Sequence, residues 1–154
     1  MSDLISELEM LISTVPENVL SLTDVDYKPK PTKWSRKEIL GHLCDSASVN
    51  YRRFVEMLIS TEVIEIVGYQ QELWVQANNY QDGYSIEETV DVWTSLNRQI
   101  LKLLTDLNEE QWSLKCLTKD EGLVTLDWLV DDYLEHTHHH LDQIFADNNI
   151  QANL

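Results

Sequence analysis

Four stretches of this chain repeat apolar residues every three or four positions, and almost nothing interrupts them. Only four Gly and three Pro occur in 154 residues. That spacing marks one buried face per helix, and four such faces close most simply on one another as an antiparallel four-helix bundle. The length suits one domain spanning 1–154.

The first stretch covers about residues 3–14, with Leu4, Ile5, Leu8, Leu11, Ile12 and Val15 in register. Pro16 either ends it or starts a short second turn. Residues 24–34 hold the other two prolines and read as a loop. The second helix opens on a capping box, Ser35 with Glu38, and runs to about residue 61 on Ile39, Leu40, Leu43, Ala47, Phe54, Leu58 and Ile59. Residues 62–84 then form one long crossover, in which Val63–Val67 fits a short strand and Gln70–Gln76 a short helix. A connection of that length is unusual enough to suggest function. A second capping box, Ser85 with Glu88, starts the third helix, which carries Ile86, Val90, Trp93, Leu96, Ile100, Leu103 and Leu104 and ends near Leu107–Asn108. The fourth is expected from Thr125 to Asn148–Asn149, with Leu126, Leu129, Val130, Tyr133, Thr137, Leu141 and Ile144 on one side.

The formal net charge is −16. Nucleic-acid backbones and anionic membranes call for basic patches, so neither is an expected partner. No run approaches the roughly 18 apolar residues of a membrane span. With no basic leader before an apolar run, and with two cysteines that make no Cys-x-x-Cys, the expected compartment is the cytoplasm and the expected state of Cys44 and Cys116 is the free thiol. Cys44 sits mid-helix beside Leu43 and reads as a small buried hydrophobe rather than a nucleophile, and Cys116 reads as an incidental loop residue.

Chemistry concentrates in the histidines. Four of the five fall in Glu135-His136-Thr137-His138-His139-His140. At about 100° per residue, His136 and His140 share a helix face one turn apart, while His138 and His139 point elsewhere, toward solvent. Two imidazoles at that spacing can chelate one ion. The bland alternative is a decorated surface. His42 is the histidine outside the cluster, early in the second helix and next to core Leu43. Three His with an open position is the layout of a catalytic zinc-type site, although nitrogen donors suit nickel, iron or copper as well. Asp45, Asp131, Asp132 and Glu135 could orient a ligand imidazole, or could simply be solvated. Arg52 and Arg53 could hold a carboxylate or pair on the surface with Glu56. Trp34 and Trp93 read as packing residues, and Trp128, off the core stripe, as a dimer contact or pocket wall.

Several segments together resemble the DinB/YfiT-like superfamily. They are Trp34-Ser35-Arg36-Lys37-Glu38-Ile39-Leu40-Gly41-His42-Leu43-Cys44-Asp45-Ser46, Asn50-Tyr51-Arg52-Arg53-Phe54, Gly68-Tyr69-Gln70-Gln71-Glu72-Leu73-Trp74, Trp93 with Asn97-Arg98, Leu126-Asp127-Trp128-Leu129, and His136 through Ile144. The resemblance implies a four-helix bundle holding a divalent metal on His42, His136 and His140, with zinc and nickel foremost, and homodimers are common in that family. It implies S-transfer from a low-molecular-weight thiol to an electrophile, with the crossover residues Tyr69 and Trp74 covering the site. The alternatives it carries are metal-dependent hydrolysis and non-catalytic metal or ligand binding. The family pattern often has Asp where this chain has Gln70 or Gln71, which leaves Glu72 as the crossover carboxylate and the catalytic candidate.

Overall fold

A computed structural model describes residues 1–146. Its long helices are α1 (Ser2–Leu20), α2 (Arg36–Ile59), α5 (Ile86–Thr105) and α7 (Leu126–Phe145). Between them lie β1 (Ile64–Ile66), α3 (Gln71–Asn78), α4 (Tyr80–Gly83), α6 (Glu109–Trp112), β2 (Lys115–Thr118) and β3 (Gly122–Thr125). The result is the expected four-helix bundle plus a small three-stranded sheet.

Both foreseen capping boxes are formed. The Ser35 and Ser85 side chains accept from the amides of Glu38 and Glu88, whose carboxylates accept from the Ser35 and Ser85 amides in return. The helix ends shift by a few residues. α2 and α5 stop at Ile59 and Thr105, and α7 stops at Phe145, with the expected terminator Asn148–Asn149 outside the described residues. The larger correction is in α1, which runs through Pro16 to Leu20. Proline removes one backbone hydrogen bond, but Val15 and Val19 continue the buried stripe across it, and their burial outweighs the lost bond.

The core joins Leu8, Leu11 and Val15 of α1 with Leu40, Leu43 and Phe54 of α2, Trp93 and Ile100 of α5, and Tyr133, Leu134 and Ile144 of α7. Tyr133 satisfies its buried hydroxyl by donating to Asn97 Oδ1 at 2.6 Å. α1 and α2 each pack on both α5 and α7, so α1 lies across the bundle from α2, and α5 from α7. Directions follow from end contacts. The Arg36 guanidinium, at the start of α2, donates to Thr23 O just past α1 and to Ala146 O just past α7. Both of those helices therefore run opposite to α2. By contrast, the start of α5 lies beside the first turns of α2, where the Cys44 thiol meets Thr89 O, so α2 and α5 run parallel.

Parallel neighbours require the chain to travel back the length of the bundle, and that is what residues 60–85 do. β1 pairs in parallel with β2 (Ile64 with Cys116), and β2 turns back on β3 at Gly122, whose φ of +73° favours glycine. Cys116, expected in a loop, is thus a fully buried strand residue. Its strand is short, and its pairing comes from a distant part of the chain, which no local pattern reveals. The return is seated where Tyr80 of α4 lies flat on Gly41 of α2.

A Cβ at Gly41 would meet the Tyr80 ring at 2.2 Å. Gly41→Ala should therefore destabilise the protein by about 1–3 kcal/mol through overpacking, and the Gly41→Ala/Tyr80→Ala double variant should lose less than the sum of the singles. Denaturant titration measures both, and a neutral Gly41→Ala would mean that the crossover is not seated there.

Candidate metal centre

Helix α2 sends His42 toward α7, and α7 answers with His136 and His140 from successive turns. His42 is fully buried and the other two are half-buried. The rings pack edge to face, with centroids 5.1 Å apart for His42 and His136, 4.6 Å for His42 and His140, and 4.6 Å for His136 and His140. One nitrogen from each lies within 4.8 Å of the other two.

The ring orientations suit a shared ion. The Nε2 atoms of His42 and His136 are 3.1 Å apart. Tetrahedral zinc with bonds of 2.0–2.1 Å spaces two nitrogen ligands by about 3.3 Å. The outward nitrogens are mostly held: His136 Nδ1 lies 3.4 Å from Ser46 Oγ, and His140 Nδ1 lies 2.9 Å from Gln143 Oε1. Such contacts fix tautomer and ring direction. Neither was singled out from the sequence, although Ser46 follows His42 by one turn and Gln143 follows His140 by three residues, spacings that place them beside the ligand face.

Electrostatics keep the cluster neutral. Burial first, then the charges of His140 and His136, push His42 down to about 3. His136 is pushed down to about 4 by burial and by its neighbours His140 and His139. His140 is also lowered, again mainly by burial, and Gln143 opposes the shift. Neutral imidazoles offer the lone pairs that a metal requires.

A cavity of about 340 Å³ opens beside the cluster, with His140 on its wall together with Trp34, Ile39, Lys33, Glu72 and Gln143. Trp34, expected only to pack, lies 5.1 Å from the His42 ring between centroids. Glu72 belongs to α3 and is exposed on its cavity side. Tyr69 and Trp74 pack on each other with centroids 5.2 Å apart, and neither borders this cavity.

The remaining candidates divide clearly. Asp45 is buried rather than solvated, accepting from Tyr80 Oη at 2.7 Å and Asn78 Nδ2 at 2.8 Å, and burial pushes it up to about 6. Asp131, Asp132 and Glu135 are exposed. His138 is half-buried against Glu7 of α1 instead of solvated, while His139 is exposed and meets Gln143. Arg52 makes the surface pair with Glu56, and Arg53 donates to Val67 O and Asn50 Oδ1, tying the crossover to α2. The Cys44 thiol is buried and its pKa raised, chiefly by desolvation, so it is no nucleophile.

The chain and its fold are similar to known proteins. The sequence profile of the DinB superfamily matches residues 7–144. The chain belongs to the DinB superfamily. YfiT of Bacillus subtilis (strain 168), provisionally named a metal-dependent hydrolase, is 25% identical over 148 residues, covering 91% of this chain and 79% of that protein. The solved structure of YfiT, described as an unusual four-helix bundle topology, superposes with a TM-score of 0.79 at 23% identity, covering 93% of this chain and 82% of that one. A DinB-like protein from the same genus and species, YjoA, superposes with a TM-score of 0.63 at 18% identity, covering 93% and 87%. These two structures share the fold, and the helix directions derived above are those of a bundle with a long crossover. No helix among the described residues of this DinB-superfamily chain is long and apolar enough to cross a membrane.

Metal-free protein should lose stability in acid through His42. Its folded pKa of about 3 lies below the ordinary 6.5, so the unfolded chain binds the proton first. The contribution is present above pH 6.5 and is lost as pH falls toward 3, at about 1.4 kcal/mol per pH unit. Asp45, raised from 3.8 to about 6, has the opposite sign: its contribution is greatest below 3.8 and is lost as pH rises through 6. Comparing chelator-treated parent with His42→Gln between pH 7 and 5 isolates the His42 part. The variant should show the shallower acid loss, and equal slopes would contradict the buried neutral imidazole.

Proposed function

We propose that this chain is a metal-dependent hydrolase acting on a small molecule, with a divalent ion, zinc or nickel, held by His42, His136 and His140. The observation that carries the reading is the convergence of three neutral imidazoles, one of which, His140, lies on the wall of a cavity that also presents a carboxylate, Glu72. When bound, the ion supplies Lewis acidity and lowers the pKa of a water ligand toward neutrality. The chain's own residues supply the rest. Ser46 and Gln143 fix two of the imidazoles, Trp34 and Ile39 give the cavity an apolar wall that limits solvent, and Glu72 on that wall would be the general base that accepts the proton lost by an attacking water.

Thiol S-transfer would use the same three ligands, with a small thiol in the open position. Hydrolysis is favoured by two things: Glu72 has an assignment in it and none in thiol transfer, and the relative YfiT carries a hydrolase name. Homodimer formation is proposed on the family resemblance alone.

Untagged protein should contain near-stoichiometric divalent metal by mass spectrometry, lost in the folded His42→Ala/His136→Ala/His140→Ala variant. Glu72→Gln should keep the metal and lower thiol-independent hydrolysis of activated esters or amides by about 10²–10⁴-fold. Equal metal in parent and triple variant, or none after reconstitution with zinc, nickel, manganese and iron, removes the ligand assignment. Turnover that appears only with an added thiol replaces hydrolysis by transfer.

A further inference from the structure

Among the described residues, two polar atoms near the cluster are buried and have no hydrogen-bond partner: His42 Nδ1 and Asp45 Oδ2. They lie one turn apart on α2. Because His42 turns Nε2 toward His136, Nδ1 is the nitrogen that bears the proton when Nε2 is a ligand. The corresponding nitrogens of His136 and His140 meet Ser46 and Gln143. For His42 the acceptors close along the helix are already used. Glu38, one turn earlier, takes the Ser35 amide and the Lys28 ammonium, and Ser46 faces His136.

Asp45 is different. On the helical wheel it falls between Gly41 and His42, about 40° from the first and about 60° from the second. Toward Gly41 its Oδ1 accepts from Tyr80 and Asn78. Its other oxygen is buried and has no partner. The Tyr69 hydroxyl, also buried and without a partner, feels the Asp45 charge, and one carboxylate oxygen can accept from both donors.

We propose that Asp45 is the positioning residue of the centre: the two atoms, unpaired in this structure, meet when the ion is held, with Oδ2 accepting the His42 Nδ1–H and keeping that ring's Nε2 toward the ion. The proposal rests on the three-imidazole reading above. It also makes Asp45 the joint between the crossover, through Tyr80 and Asn78, and the metal ligand on α2.

The test compares zinc affinity, by competition with a chromophoric chelator, in the parent, Asp45→Ala, Asp45→Asn and Tyr80→Phe, with folding checked by denaturation. Nitrogen-correlated NMR of the imidazoles in the zinc-loaded proteins gives a second readout. Asp45→Ala should weaken zinc binding about 10–100-fold and abolish a slowly exchanging His42 Nδ1–H signal. Asp45→Asn, whose amide oxygen can still accept, should weaken binding less and shift that signal. Tyr80→Phe removes the other hydrogen bond to the carboxylate but leaves Oδ2, and should bind zinc like the parent. Parent-like affinity in Asp45→Ala overturns the proposal, as does a Tyr80→Phe loss equal to it, which would reduce Asp45 to a fold anchor. Should Asp45→Ala not fold, unchanged affinity with an unshifted Nδ1–H in Asp45→Asn overturns it equally. A parent that binds no zinc fails at the earlier step, and is told apart because every variant then matches it.

Discussion

From Ser35 to Ala47 every residue of the α2 entry is buried, polar and charged ones included. A helix enclosed on all sides has no solvent face on which to leave Arg36, Lys37, Glu38, His42 and Asp45, so each must find a partner inside the protein. The surroundings follow from that demand. Lys37 pairs with Asp26, Glu38 with Lys28 and with its own cap, and Arg36 takes carbonyls from beyond two other helices. The loop before α2, the end of α1 and the end of α7 are all gathered around one helical segment by its polar side chains. Charged groups buried with partners rarely add net stability over apolar ones, but they penalise misplacement heavily. That makes them effective at fixing where neighbouring elements sit.

The same enclosure explains why the cluster lies where it does. The long crossover must bring the chain back to the start of α2 before α5 can run parallel to it. In returning, it lays α4 against Gly41 and α3 near the cavity, so that Glu72 is delivered to the side of His140. α7, running the opposite way, brings His136 and His140 level with His42. The site is therefore a product of helix direction as much as of side-chain identity: with an α7 parallel to α2, His140 would be carried further along the bundle, away from His42.

The sequence displayed some of this and concealed the rest for identifiable reasons. Apolar periodicity and the two capping boxes marked the helices because those signals are local and repeat over many residues. The i,i+4 relation of His136 and His140 was legible for the same reason, and His42 joined them because it was the one histidine left. Pro16 misled, since its local penalty was visible while the burial of Val19 beyond it was not. β2 was invisible: Lys115-Cys116-Leu117-Thr118 has no alternation long enough to read, and its partner strand comes from the crossover. The sequence leaves Asp45 between orienting an imidazole and plain solvation, with solvation favoured because carboxylates on acidic proteins are usually exposed. Its burial depends on Tyr80, far along the chain, reaching back over a glycine. Partners of that kind are set by tertiary packing, and single-sequence patterns do not contain them.

Charge completes the physical picture of the centre. The chain carries a formal net charge of −16, yet the proposed ligand set contains no carboxylate. Long-range attraction by the acidic surface raises the local concentration of cations, while the neutral imidazoles leave a bound divalent ion with its full charge. Anionic ligands would neutralise part of that charge and blunt its effect on a bound water. In the proposed site the nearby acidic groups stand one step removed, Asp45 three residues from His42 on α2 and Glu72 on the cavity wall shared with His140. In those positions they can orient an imidazole or accept a proton without weakening the ion as an acid. Under the proposed function, the same surface would disfavour anionic substrates, apart from any that reach Lys33 on the cavity wall, and would leave neutral or cationic molecules small enough for about 340 Å³ as the accessible ones.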